Sequence, residues 1–261
     1  MRKIGFWLAL MSITAFASAQ QINPDVVNVS GNSAVYGSGY LAWSVGEAVV
    51  GQAQTASVTV KQGFLQPGPS SLQVFFVRLY LQGLWNGSGL NKAQGTNGDA
   101  YPGLVADKVD IELHPVADYA STAYGQTNVN LTTEGNAAIQ LQTALIGDYY
   151  LTVRHRNTLA TTSQAINING NGLSYDFTAM ASRAFGNNQV ELGEGIFGFY
   201  AGDANQDGSI NATDLSLIGN SAMIFETGYA VADLTGDGVV DALDLIVADN
   251  NAANAVQTIE P

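Results

Sequence analysis

Apolar and polar positions alternate in short runs through most of this 261-residue chain. Leu41, Trp43 and Val45 fall on one face of their segment, and Val58 and Val60 alternate with Thr59 and Lys61, the two-residue period of a half-buried strand. Segments 39–46 and 56–63 therefore predict a small β-hairpin region within 20–68, which needs a neighbour because a lone hairpin is marginal in water. Pro67, Gly68 and Pro69 mark a boundary. Further strands are predicted at 74–82, 108–114, 128–132, 137–141, 149–156, 165–168 and 173–178, separated by clusters such as Asn86, Gly87, Ser88 and Gly89. Short strands with frequent turn signals predict an antiparallel β-sandwich over 72–200. No strand alternates with a long amphipathic helix, which speaks against a parallel α/β sheet. Segment 177–185 reads as a short helix or an irregular crossing.

The N-terminus has a different pattern. Arg2 and Lys3 precede an apolar run from Ile4 to Phe16, then Ala17, Ser18 and Ala19. A basic start, a short apolar stretch and small residues at −3 and −1 predict a secretory signal over 1–19, cut before Gln20. The run is too short for a membrane anchor, and no later segment predicts a membrane span. The product is expected to be secreted or held at the cell surface.

Composition narrows the chemistry. The chain carries 22 acidic and 9 basic residues; without Arg2 and Lys3 the balance is 22 to 7, or −15. So negative a chain is a poor ligand for nucleic acid or anionic lipid. Cysteine is absent, which excludes disulfides, zinc–thiolate sites and thiol catalysis. The acids are not spread evenly: more than half follow Arg183, beyond which there is no Lys or Arg.

Those acids are ordered with a 30-residue period. One set is Asp203, Asn205, Asp207, Ser209, Asn211 and Asp214; the other is Asp233, Thr235, Asp237, Val239, Asp241 and Asp244. Each falls at positions 1, 3, 5, 7, 9 and 12 of a twelve-residue calcium loop, with glycine (Gly208, Gly238) at position 6. Calcium takes six to eight hard oxygens, so a loop must wrap it and point alternate side chains inward, turning sharply at position 6. Position 7 offers only its carbonyl, so Ser209 and Val239 can differ. Ile210 and Val240, at position 8, are expected to pair the two loops through a short β contact. Helices are expected to begin at Asp214 and Asp244, ahead of Leu215, Leu217 and Ile218 and of Leu245, Ile246 and Val247. Seven carboxylates without counter-charges resist folding, so binding of two Ca²⁺ ions is expected to be coupled to ordering of this segment.

The paired loops resemble the type I dockerin module over 202–255. The resemblance implies two F-hands, each a calcium loop and one helix, at the end of a mainly β chain, in a module spanning 201–261. It also implies docking onto a cohesin partner. Two departures stand out. Thr235 replaces the usual Asn or Asp at position 3, which is expected to weaken that site. The positions that face cohesin in the family read Ala212 and Thr213, and Ala242 and Leu243, with no basic residue after them. Upstream, Trp43 to Glu47 with Gln62 to Pro67 is similar to a repeat of secreted cell-surface proteins of Gram-negative bacteria.

Other candidates carry less. His155 shares a strand face with Leu151 and Val153 and reads as a core-edge residue beside solvated Arg154 and Arg156; His114 reads as structural. Asp110 with Glu112, and Glu191 with Glu194, lack any sign of facing each other across a glycosidase cleft. Ser88 reads as a turn residue rather than a nucleophile. Trp43, Trp85, Tyr101, Tyr149 and Tyr150 are candidates for a sugar-stacking surface. The expectation is a non-catalytic, calcium-binding protein of attachment or assembly. Its partner is a cohesin-like or cell-surface protein or a second copy, and carbohydrate binding or fibre assembly are the alternatives.

Overall fold

The computed structural model describes residues 72–170 and 173–261 and, upstream, the backbone of four short strands. The expected leader lies outside the described residues. The chain divides into two compact units, Met1–Pro69 and Ser70–Pro261. In the first, β1 (Ser30–Tyr36) pairs antiparallel with β2 (Gly39–Val45), and β3 (Gln52–Gln54) with β4 (Thr59–Lys61). The predicted segments 39–46 and 56–63 thus pair each with its own upstream neighbour, not with each other. The register of the first pair runs from Ser30 opposite Val45 to Tyr36 opposite Gly39.

The second unit opens with β5 (Leu72–Arg78), β6 (Gln94–Gly95), β7 (Gly98–Asp99), β8 (Val105–Pro115) and β9 (Tyr124–Thr132). β10 (Asn136–Gln142), β11 (Gly147–His155), β12 (Thr158–Thr162), β13 (Ile166–Ile168) and β14 (Leu173–Asp176) follow, then β15 (Val190–Gly193) and β16 (Ile196–Gly198). One sheet has the order β10-β5-β14; the other runs β12-β11-β8-β9, with β13 also on β11. The pairing is antiparallel except for β14, which lies parallel to β5 with Leu173 opposite Phe75.

Alternation sets the core. Phe75 and Val77 of β5, with Ala137, Ile139 and Leu141 of β10, are buried, as are Ile111, Leu113, Leu131, Leu151 and Val153 of the other sheet. Phe177 packs edge-on against both Tyr175 and Phe199, at centroid distances of 4.9 and 5.1 Å. β12 is buried along its whole length, so its Thr-rich sequence shows no period. Two of its three hydroxyls are satisfied inside: Thr161 Oγ1 donates to the Leu159 carbonyl at 3.2 Å, and Thr162 Oγ1 lies 2.9 Å from both Thr152 Oγ1 and the Tyr119 hydroxyl. Segment 177–185 is an irregular crossing that ends in 3-10 turns at Ala181–Arg183 and Phe185–Asn187.

Two α-helices complete the unit: α1 (Ala212–Met223) and α2 (Ala242–Ala253). Around them lies a second apolar cluster of Ala201, Ala204, Ile218, Ala230, Ala232, Leu234, Val240 and Ala248. Ile218 and Ala248 occupy equivalent places in the two helices, and both are fully buried. Both helices end on a residue with positive φ, Phe225 (48°) and Ala255 (50°). The next amides, of Glu226 and Val256, turn back to the carbonyls of Ser221 and Asn251.

Candidate metal centre

Both loops are built by carboxylates that gather backbone N–H groups. Asp203 accepts from the amides of Asp207 and Gly208 at 3.1 and 3.2 Å. Asp214 accepts from Ala204 and Asn205 at the head of the loop and from Asn211 at its foot, at 2.9–3.1 Å. It therefore ties the two ends of the loop together while sitting in the first turn of α1. Asn211 caps that helix, accepting from the Thr213 amide at 2.8 Å. The second loop repeats the plan: Asp233 accepts from Gly236 and Gly238, Asp244 from Thr235 and Asp241, and Asp241 caps α2 through the Leu243 amide. Gly208 and Gly238 have φ of 85° and 89°, the left-handed turn that position 6 requires.

The first loop brings Asp203, Asp207 and Asp214 together, with one carboxylate oxygen of each within 4.8 Å of the others. Among the described residues no other three acidic or imidazole side chains converge so closely. Asp203 and Asp214 are buried, and Asp207 is exposed. Burial, followed by the charges of Asp214 and Asp207, pushes the Asp203 carboxyl up to about 6, against the backbone N–H groups that hold its charged form. The Asn205 side-chain amide donates to Asp207 at 2.8 Å, and the carbonyl of Ser209 accepts from the Asn211 side-chain amide at 3.3 Å.

The second loop is less converged. Asp233 and Asp244 are buried and Asp237 is exposed. The hydroxyl of Thr235 lies 3.4 Å from Asp233. The Val239 amide turns to Asp237 at 3.0 Å. Burial raises the Asp233 carboxyl too, while the nearby Arg156 charge pulls it back. A hard divalent cation suits this chemistry: the donors are oxygens, three carboxylates converge, and no basic residue follows Arg183 to neutralise them.

One expectation is corrected. Ile210 and Val240 do not pair the loops with each other. The Ile210 amide donates to Val256, beyond α2, and Ser209 bridges to Gln257; the Val240 amide donates to Glu226, beyond α1, and Val239 bridges to Thr227. Both position-8 side chains are buried, so each loop is braced by the segment that leaves the opposite helix.

A cluster that sequence reasoning missed lies between this module and the sandwich. Asp107 of β8 is fully buried. It accepts from the Lys108 amide (2.7 Å), the Tyr229 hydroxyl (2.5 Å), His155 Nε2 (3.0 Å) and Arg156 Nε (3.2 Å). Burial alone would raise this carboxyl, but the bond from His155 and the adjoining positive charges hold it well below the ordinary range. Asp107 is therefore ionised and the imidazole is the donor. Burial pushes His155 down, against the pull of the Asp107 carboxylate. Arg156 stacks over the Tyr229 ring at 4.4 Å and donates to the Ala230 carbonyl. The expected solvated Arg156 is thus a buried clamp, while Arg154 does reach solvent, beside Glu112 at 3.1 Å. The sequence signal was an acidic residue at an inward position of a strand, where the chain bulges between Val105 and Asp107.

The remaining candidates are dispersed. Asp110 accepts from the Asn128 amide, and Glu112 serves Arg154 and lies 3.5 Å from His114. Asn86 Oδ1 accepts from the amides of Ser88 and Gly89, which makes Ser88 part of a turn. Trp85 packs on Tyr80, Tyr101 on Tyr229 and Tyr150 on Tyr119, three separate pairs rather than one platform. Trp43 lies outside the residues with described side chains.

Comparison with known proteins bears on the C-terminal part. The family model of the dockerin type I domain matches residues 201–251. No curated protein matches the chain. Two solved structures share 15% identity with it, both interface mutants of a type II cohesin–X-dockerin complex from Acetivibrio cellulolyticus. The N-terminal interface mutant covers 57% of this chain and 85% of its own, at a TM-score of 0.37. The C-terminal interface mutant covers 69% and 98%, at 0.36.

Proposed function

Because residues 201–251 belong to the dockerin type I family, we propose that this chain is an exported, non-catalytic attachment component whose C-terminal module binds two calcium ions and docks a cohesin-like protein. The observation that supports the calcium reading is the convergence of Asp203, Asp207 and Asp214 at the head of α1, repeated in outline around Asp233 and Asp244. Calcium would be held in the first loop by Asp203, Asn205, Asp207, the Ser209 carbonyl, Asn211 and Asp214, and in the second by Asp233, Thr235, Asp237, the Val239 carbonyl, Asp241 and Asp244. The ions would neutralise carboxylates that the chain itself leaves unpaired. The leader-like pattern expected over 1–19 is what supports the export reading; among the described residues no helix is long and apolar enough to cross a membrane.

The docking face is the open side of the helix pair. Leu215 and Ser216 of α1 and Leu245, Ile246 and Asp249 of α2 line a shallow groove there. Leu243 and Ile246 are 56% and 54% exposed, an apolar edge on α2 for which α1 offers Thr213 and Ser216 at the equivalent places. Calorimetry against a panel of cohesins tests the reading. Binding is expected in calcium, is lost on chelation, and is weakened at least tenfold by Leu243→Ala with Ile246→Ala, which trim the exposed edge without adding charge beside the second loop. Calcium uptake with no partner in the panel, and no effect of the pair on capture from the native cell envelope, would refute the docking assignment.

A further inference from the structure

The tip of the β11–β12 hairpin touches the head of both loops. Asn157, only 1% exposed, forms that tip. Its carbonyl accepts from the Gly202 amide at 2.8 Å, one residue before Asp203. Its side-chain amide points the other way and donates to the carbonyls of Val231 (3.1 Å) and Asp233 (2.9 Å). The first loop is therefore tied to the tip through the main chain, whereas the second is gripped by a side chain that can be removed. The sandwich supports the second loop elsewhere as well: the Gln94 amide donates to the Gly236 carbonyl at 2.9 Å, and Gly236 lies against Leu84 and Ala93. Among the described residues no sandwich side chain grips the first loop in this way: the Asp203 carbonyl accepts from Gln206 of the loop itself, whose side-chain amide also reaches the Thr158 carbonyl at 3.4 Å, and Asp207 is exposed. The second loop is also the one with Thr235 at position 3 and without a tight carboxylate triple. A weaker donor set gains most from a loop already held in its binding shape.

We propose that Asn157 is a positioning residue for the second calcium loop, fixing the main chain of Asp233 so that the sandwich presets the geometry in which the ion is taken. This rests on the calcium reading above. The two loops then differ in kind: the first is arranged by its own residues, the second by the neighbouring β-structure.

The test is calcium calorimetry on the full chain with each loop isolated in turn. Asp207→Ala leaves the second loop to report, and Asp237→Ala leaves the first. Adding Asn157→Ala is expected to weaken calcium binding on the order of tenfold in the Asp207→Ala background, the scale of losing two modest hydrogen bonds. In the Asp237→Ala background the change is expected to stay within about twofold. Asn157→Ser, which keeps a polar group too short to reach both carbonyls, should reproduce the split, and serves alone if the alanine variant does not fold. Equal losses in both backgrounds, or no loss in the second loop, would overturn the proposal and leave Asn157 a merely structural residue. An unaltered chain that takes up no calcium would instead overturn the calcium reading, and the proposal with it.

Discussion

Asp107→Ala should loosen the hold of the sandwich on the C-terminal module. The carboxylate accepts four hydrogen bonds, from His155, Arg156, Tyr229 and the Lys108 amide, and none of it is exposed. Its removal strands the Arg156 guanidinium, whose side chain is 10% exposed, on the Ala230 carbonyl and the Tyr229 ring. Deleting one member of a buried charge pair costs about 3–5 kcal/mol, because the survivor stays desolvated. For a unit the size of Ser70–Pro261 each kcal/mol moves the melting point by about 2–4 °C, so a fall on the order of 10 °C is expected. Differential scanning calorimetry in chelator is the assay, with Asp107→Asn as the shape-preserving control that should lose less. The pH dependence has a definite sign. The folded-state pKa of Asp107 lies below the ordinary 3.8, so its contribution is in full force above that value and fades as pH falls through it. The gap between wild type and Asp107→Ala should therefore hold from pH 8 to 5 and narrow below about 4. A variant melting within about 2 °C of wild type at pH 7 would show that the cluster does not join the two parts.

Four further outcomes follow from the same geometry. Gly83→Ala would place a methyl group on the carbonyl oxygen of Leu234, and should lower the melting point and loosen the second loop, read as faster amide exchange around 234–238. With Asp203 raised to about 6, calcium must displace a proton below that value, so affinity for the first site should fall roughly tenfold between pH 7 and 5. Because a raised carboxyl binds its proton more tightly folded than unfolded, Asp203 favours the metal-free fold increasingly as pH drops from about 6 towards 3.8, an advantage that Asp203→Asn should remove. Ala255→Gly should stabilise the chain by about 0.5–1 kcal/mol in urea titration, since its φ of 50° is strained for a residue with a β-carbon; a loss would mean that the alanine methyl packs usefully.

The periodic parts of the fold were legible and the shielded parts were not. β10 buries Ala137, Ile139 and Leu141 between exposed neighbours, so its alternation was written in the chain, whereas β5 is apolar on both faces, with Leu72, Val74 and Phe76 exposed opposite buried Phe75 and Val77. β12 is covered on both sides, and β15 and β16 are too short to show a period, so neither appeared. The loops were readable because oxygen donors at fixed offsets around a glycine are a one-dimensional pattern. Their cross-bracing was not, because it joins Ile210 to Val256 and Val240 to Glu226 across a whole helix. Asp107, Asn157 and Tyr229 escaped for the same reason: their partners lie tens of residues away in sequence, and a lone inward acid looks like any other until its guanidinium is found.

That cross-bracing makes the two halves of the module mutual hostages. An excised half would keep its own loop and helix but lose the short ribbon that seals it, and the missing ribbon is one that an identical half carries unused. Two such fragments have every reason to exchange ends and dimerise by swapping, so the 30-residue repeat is a unit of sequence but not a unit of folding.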